Sequence, residues 1–186
     1  MADVVAILGS PRSRGNSTLL AESAVRGIEA AGGTSHSVRL HGMRIEPCRA
    51  CDSCQKPLGS GCVIRDDMQD LYPRLLAARA LLVASPIYWF TVSAQTKLFM
   101  DRCYALHIEG GHAFRGMRIG VILTYGDSDA FASGAINAIR TFQDACRYLK
   151  AELVGVVHGS AGQAGAVAAD VDLIAEAYEL GRKLTG

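Results

Sequence analysis

Four cysteines, Cys48, Cys51, Cys54 and Cys62, follow one another in the spacing C-x2-C-x2-C-x7-C. Thiolates serve as nucleophiles, redox groups and ligands for soft metals. Three thiols at this interval curl around one centre, and the turn Gly59-Ser-Gly61 can return the fourth. A [4Fe–4S] cubane needs such a cradle of four thiolates. Other readings of the same residues stay open. A four-cysteine zinc site normally uses paired C-x-x-C knuckles, and the step from Cys54 to Cys62 is too long for the second. Free thiols, or a redox-active Cys51/Cys54 pair, need no metal at all. Cys103 and Cys146 fall within helical patterns and read as small core residues.

The segment Gly9-Ser-Pro-Arg-Ser-Arg-Gly-Asn-Ser-Thr18 could do a different kind of chemistry. It follows the apolar run Val4–Leu8 and opens a helical pattern. A strand that breaks at glycine into a polar loop and a helix start offers backbone N–H groups, hydroxyls and a favourable helix dipole to a phosphate. The segment is not a Walker A loop, because Gly15 is followed by Asn16 and Ser17 rather than by lysine. It is not the G-x-G-x-x-G dinucleotide fingerprint either. The plain alternative is an ordinary turn with Asn16 as N-cap. Proline and arginine inside so polar a turn favour the anion site. Farther along, Ser85-Pro-Ile-Tyr-Trp-Phe-Thr-Val-Ser93 holds three consecutive aromatics, including the only tryptophan. Such residues suit the face or edge of a flat ring, with main-chain groups reading its polar rim. The alternative is that one or two pack beneath the loop or in a dimer interface. Thr124-Tyr-Gly-Asp127 adds another aromatic beside a flexible glycine.

The elements that must position these residues alternate regularly. Apolar, β-branched runs occur at Val4–Leu8, more weakly at Ser35–Leu40, then at Ala80–Ala84, Ile119–Leu123 and Leu153–Val157. Four of them lack strict polar alternation, as expected of strands covered on both faces. Helical stripes lie between them. Leu20, Ala24, Ile28 and Ala31 form one, ended by Gly32-Gly33. Met68, Leu71, Leu75 and Leu76 form another, capped by Asp66 or Asp67, with Pro73 expected to kink it or delay its start. Further helices are expected over 93–106, 132–150 and 166–184. This alternation implies an α/β fold, a flavodoxin-like three-layer sandwich with a five-stranded parallel sheet in order 2-1-3-4-5. Ligands then bind outside the C-terminal strand ends, where the loops 9–18, 85–93 and 124–133 fall.

The chain has 186 residues, 49% hydrophobic and 20% charged, which fits a single domain over 1–186. A net charge of +1 gives no reason to expect nucleic acid or anionic membrane as partner. No apolar run is long enough to span a bilayer. The start Met-Ala-Asp-Val lacks a secretory pattern, so the expectation is a cytoplasmic protein whose cysteines are thiols or ligands rather than disulfides.

Taken together, Gly9-Ser-Pro-Arg12 with Gly15-Asn-Ser-Thr18, Ser85-Pro-Ile-Tyr-Trp89 and Gln95-Thr-Lys-Leu-Phe-Met-Asp-Arg102 resemble the NADPH-dependent FMN reductase family. The likeness covers roughly residues 3–130 and weakly the rest. It implies FMN, with Ser10, Arg12, Asn16, Ser17 and Thr18 at the phosphate. Around the flavin ring it implies Pro86, Ile87, Tyr88, Trp89 and Phe90, together with Thr124, Tyr125, Gly126 and Asp127. Many relatives carry glycine and asparagine directly after Tyr-Trp, where this chain has Phe90 and Thr91; a more enclosed pocket is the expected consequence. The cysteine spacing is similar to that of the iron–sulfur flavoprotein branch, which implies a [4Fe–4S] cluster on Cys48, Cys51, Cys54 and Cys62.

The expected activity is that of an FMN-dependent NAD(P)H oxidoreductase. It passes hydride from the nicotinamide to flavin N5 and electrons on to a small-molecule acceptor such as a quinone, free flavin, azo dye or metal ion. No catalytic side chain is singled out. The resemblance also implies a homodimer or homotetramer. One rival is an electron carrier in which FMN and a cluster serve a ferredoxin-like protein. Another, outside enzymology, is a phosphate-ligand sensor or interaction module. The five histidines lack metal spacing and are read as surface or loop residues. Asp66-Asp67 is read as a helix cap, and Asp101-Arg102 as making helix-end or interface contacts.

Overall fold

Continuous apolar runs in the sequence become a sheet buried on both faces. The computed structural model describes residues 3–186. In chain order the elements are β1 (Val4–Leu8), α1 (Asn16–Ala30), β2 (Ser35–Arg39), α2 (Met68–Ala77), β3 (Ala80–Tyr88), β4 (Thr91–Val92) and α3 (Ala94–Arg102). They continue with β5 (His107–Ile108), β6 (Gly111–His112), β7 (Arg118–Tyr125), α4 (Ala135–Leu149), β8 (Glu152–Ser160) and α5 (Val171–Thr185). The main sheet runs β2-β1-β3-β7-β8, all parallel, which is the flavodoxin-like order 2-1-3-4-5 of its five long strands. Strand alternation divides the core. Val5, Ile7, Val83 and Val121 face α2, α3 and α4 with Met68, Phe99 and Phe142. Val4, Ala6, Leu82 and Ile122 face α1 and α5 with Leu20, Ile28 and Leu180. Helices α1 and α5 touch through glycines: a Cβ on Gly27 would lie 2.0 Å from the Tyr178 carbonyl oxygen, and one on Gly181 1.9 Å from that of Ala24. That contact fixes α1, and hence the loop at its N-terminus. Among the described residues no helix is long and apolar enough to cross a membrane.

The structure departs from the sequence reading at several element ends. β3 runs on to Tyr88 and turns back into β4, so the aromatic segment is a hairpin rather than a loop. In α1 the buried stripe ends at Ile28, and Ala31 is an exposed C-cap. In α2 Tyr72 is buried whereas Leu76 is 49% exposed. Pro73 lies inside α2, which begins ahead of the proline rather than behind it. α3 ends at Arg102 and gives way to a 3-10 turn over Cys103–Leu106. α4 starts at Ala135, because Asp129 takes the N–H groups of Phe131 and Ala132 into a separate turn. α5 starts at Val171, where Asp170 accepts from the Leu173 N–H. The residues Ala166–Ala169 form a 3-10 turn of their own.

Candidate functional site

The loop after β1 is folded on itself. Ser10, 3% exposed, donates its hydroxyl to the Arg12 carbonyl and accepts the Arg12 N–H, both at 3.2 Å. Gly15 N–H donates to the same carbonyl at 3.1 Å, and a Cβ on Gly15 would lie 2.3 Å from Ser10 Oγ. Arg39, at the end of β2, donates to the Pro11 carbonyl at 2.8 Å and brings another cation to the loop. Helix α1 starts at Asn16 behind the N-cap Gly15, with no side-chain cap and no acid in its first turn. The N–H groups that begin a helix have no intrahelical acceptor, so this end suits an anion. Ser17 and Thr18 are buried there, and Arg12 is exposed. The Asn16 side chain turns elsewhere: its amide donates to the carbonyls of Ala161 and Gln163 at 3.0 and 2.8 Å, and its oxygen accepts from Val167 N–H.

A buried hydroxyl cluster fixes the second loop against the first. Ser93 Oγ donates to the Gly9 carbonyl at 2.8 Å and lies 2.9 Å from Thr96 Oγ1. Thr96 donates to Ser85 Oγ at 3.2 Å, and Ser85 Oγ also accepts the Ser93 N–H. All three side chains are fully buried, and Ser93 caps α3. Sequence reasoning did not single out this trio. The available signal was a serine, Ser93, at the N-cap position of the helical pattern. Beyond the cluster, β3 and β4 pair through Ile87↔Val92 and Tyr88↔Thr91. The two-residue turn between them puts Trp89 and Phe90 at φ of 50° and 67°. Such hairpin turns need two left-handed residues and normally use Asn-Gly. Bulky residues held there are strained, and strain of this kind gathers at functional sites. Tyr88, Trp89 and Phe90 are 44, 92 and 52% exposed, so this chain alone does not enclose the pocket more tightly. Phe90 rests on the Gly134 main chain, and its carbonyl accepts from Asn137. Pro86 and Ile87 are half-buried.

The third loop meets the other two at the same sheet end. Thr124 and Tyr125 are buried, and Gly126 and Asp127 are exposed. Tyr125 Oη lies 3.1 Å from His158 Nδ1, and burial raises its phenol above the ordinary value. Its carbonyl accepts from Ala161 N–H at 2.7 Å, which links this loop to the segment that holds Asn16.

The cysteines occupy the irregular chain between β2 and α2. Cys48 and Cys51 are exposed, Cys54 is buried and Cys62 is half-buried. Ala50 and Asp52, interleaved with the first three cysteines, have φ of 50° and 55°. Left-handed residues in such a curl turn main-chain N–H groups inward, as in many iron–sulfur and phosphate sites. Hydrogen bonds from the Ser53 hydroxyl and N–H hold the Cys51 thiol below its ordinary range. Among the described residues no three His, Cys, Asp or Glu side chains converge as a metal site. The donor set therefore suits a soft metal in chemistry and curl, and stands open in geometry. Cys48 and Asp52 also line a crevice of about 540 Å³ with Tyr104, His107 and Tyr148. Cys103 and Cys146 are core residues, and burial raises Cys146 to about 11.

Arg102 does end α3, but sequence reasoning, which expected helix-end or interface contacts, missed its burial. It is 1% exposed and bound inside the molecule. Its Nη1 donates to Asp66 Oδ2 at 2.5 Å and to the Glu46 carbonyl at 2.8 Å. Its Nη2 donates to Asp66 Oδ1 at 3.1 Å and to Cys62 Sγ at 3.4 Å. Asp66 also accepts from the N–H groups of Glu46 and Met68, so it does more than cap α2. Burial pushes the Asp66 carboxyl up, but the Arg102 hydrogen bonds, the Glu46 N–H, the Arg102 charge and the Met68 N–H together outweigh it and leave it below the ordinary value. His112 is likewise buried rather than superficial. Its Nδ1 accepts the Phe114 N–H and its Nε2 donates to the Cys103 carbonyl. Only the neutral ring can do both, and burial lowers its pKa below 6.5.

A phosphate-type loop, an aromatic hairpin and a third loop at one end of a flavodoxin-like sheet define a flavin-binding class of protein. The NADPH-dependent FMN reductase family model matches residues 2–183, and the chain belongs to that family. It is 37% identical over 163 residues to an iron–sulfur flavoprotein of Archaeoglobus fulgidus, covering 88% of this chain and 78% of that protein. It is 35% identical over 99 residues to YwqN of Bacillus subtilis, provisionally named an NAD(P)H-dependent FMN-containing oxidoreductase; that match covers 53% of this chain and half of the relative's length, 50%. The solved FMN complex of an FMN-dependent NADH-azoreductase from Bacillus anthracis shares the fold, with a TM-score of 0.69 at 16% identity and full coverage of both chains, 100% each. The chain is an FMN-dependent NAD(P)H oxidoreductase by family.

Proposed function

We propose that residues 1–186 form one FMN-binding domain that oxidises NAD(P)H at the sheet end described above. The observation that carries this reading is the uncapped N-terminus of α1 behind the self-bonded loop Gly9–Gly15, in a chain of this family. Ser10, Arg12, Ser17 and Thr18 hold the phosphate, and Asn16 contributes its main-chain N–H because its side chain is engaged. Pro86, Ile87, Tyr88, Trp89 and Phe90 border one side of the flavin ring. Thr124, Tyr125, Gly126 and Asp127 border another, with buried Tyr125 offering main chain. When bound, FMN supplies the redox chemistry: it takes hydride from the nicotinamide and passes electrons to a small acceptor. The protein positions the ring and excludes water, and no side chain need act as acid or base. The exposed Tyr88, Trp89, Phe90 and Phe131 make an apolar surface that a second copy covers, giving a homodimer or homotetramer. A reducing, cytoplasmic setting suits the free thiols. The test is anaerobic mixing of FMN-loaded protein with NADH or NADPH; flavin that neither cofactor reduces would refute the activity.

The cysteine loop favours a second component. Cys48, Cys51, Cys54 and Cys62 hold a [4Fe–4S] cluster in this reading, and a ferredoxin-like protein is then a fitting partner. Its support is the left-handed curl at Ala50 and Asp52, the thiolate-favouring contacts of Cys51, and likeness to proteins named iron–sulfur flavoproteins. Anaerobic reconstitution with iron and sulfide tests it. Fewer than about one iron per chain would leave four free thiols.

A further inference from the structure

A buried arginine is costly, and its partners say what it is for. The guanidinium of Arg102 reaches both stems of the cysteine loop, Glu46 on the entering side and Asp66 on the leaving side. Closing the loop needs only those two contacts. The Cys62 contact is additional, and Nε is buried without any acceptor. A cation at 1% exposure is hardly screened by water; the Asp66 carboxylate offsets part of its charge, and the remainder, with the Nη2–H dipole, falls on the Cys62 sulfur. Cys54 has a weaker counterpart, the neutral amide of Gln55 at 3.2 Å. Cys48 and Cys51 are exposed. The four sulfurs thus stand in unlike surroundings, and Cys62 alone faces a buried charge.

We propose that Arg102 is a positioning residue for the four-cysteine centre: its guanidinium ties Glu46 to Asp66 to close the loop, and its Nη2–H hydrogen bond to Cys62 Sγ raises the reduction potential of a cluster held there. This inference rests on the cluster reading above. Reduction adds one electron and one negative charge, with no bond made or broken. A hydrogen bond to a ligand sulfur and a nearby cation both stabilise the more negative form. The Asp66 carboxylate acts in the opposite sense, because its charge offsets that of Arg102. Removing the arginine should therefore lower the potential, and neutralising the aspartate should raise it. A residue that merely held the loop in shape would not produce opposite signs.

The experiment uses FMN-loaded protein reconstituted anaerobically with ferrous iron and sulfide, as wild type, Arg102→Lys, Arg102→Gln and Asp66→Asn. Iron content is measured first, and the cluster potential is then titrated with a chemical reductant and followed by electron paramagnetic resonance. Arg102→Gln is expected to shift the one-electron equilibrium about tenfold toward the oxidised form, about 59 mV lower. Arg102→Lys should move the same way by less, and Asp66→Asn should move it upward. Bound FMN reports that each variant is folded, and if Arg102→Gln fails to fold, the other two decide. A variant that keeps FMN but cannot hold iron supports the loop-closing role. Unmoved potentials, or shifts of one sign in all variants, overturn the proposal. A wild type that binds no iron removes the cluster reading, and this inference with it.

Discussion

Replacing Gly15 by alanine should weaken FMN binding and leave riboflavin binding unchanged. The backbone there has φ −70° and ψ 152°, which alanine adopts freely, so the effect is purely one of space. The added Cβ would lie 2.3 Å from Ser10 Oγ and 3.2 Å from the Arg12 carbonyl oxygen. Ser10 must move, and it makes two hydrogen bonds that shape the loop, both at 3.2 Å. Each is worth roughly 0.5–1.5 kcal/mol, so the loop loses roughly 1–3 kcal/mol and FMN affinity falls roughly fivefold to 150-fold. The assay is fluorescence titration of apoprotein with FMN and, in parallel, with riboflavin, which lacks the phosphate. Adding Ser10→Ala removes the 2.3 Å contact together with the hydroxyl it displaces, so the loss in the double variant should be smaller than the sum of the two single losses. An unchanged FMN dissociation constant, or an equal loss for riboflavin, would refute the phosphate assignment.

Alanine at both Ser17 and Thr18 removes two buried hydroxyls beside the helix start. Charge-assisted bonds are worth about 1.5–3 kcal/mol each, so FMN affinity should fall at least about tenfold in the same titration. The neutral His112 gives a pH dependence. Its folded pKa lies below 6.5, so the stability it contributes is complete above 6.5 and is lost as pH falls through that value toward the folded pKa. Chemical denaturation from pH 7.5 to 5.0 should show a shallower decline for His112→Gln than for wild type. An identical slope would remove His112 from the account. Trp89, at 92% exposure, contributes little to the fold, so Trp89→Ser should change stability by no more than about 0.5 kcal/mol. It should, however, shift sedimentation toward the 19.7 kDa of one chain. Unchanged self-association would place the interface elsewhere.

The sheet was legible because strands buried on both faces must be apolar throughout, and Val4–Leu8 and Ala80–Ala84 have no other plausible place. The weak run at Ser35–Arg39 is the edge strand β2, which explains its polarity. The hairpin was not legible, because Trp89-Phe90 adopts a turn that ordinarily announces itself with Asn-Gly. Its true end is set by pairing with Thr91-Val92, a contact that no periodicity encodes. The hydroxyl trio at Ser85, Ser93 and Thr96 left half a signal, its helix cap; the contact with Gly9 is long-range. Arg102 left none. Arginine is nearly always superficial, and its partners at Glu46, Cys62 and Asp66 come from a loop distant in sequence. The same distance hid the role of Asp66, whose cap to Met68 is local whereas its ion pair is not.

This sheet end is proposed to hold FMN and to let a nicotinamide reduce it. Anaerobic addition of one equivalent of NADPH or NADH to the FMN-loaded protein, followed by flavin absorbance and then by a quinone, tests it most directly. The flavin should bleach with at least one of the two nicotinamides and recover its oxidised spectrum when the quinone is added. Flavin that does not bind, or that binds and keeps its oxidised spectrum with both nicotinamides, would contradict the account.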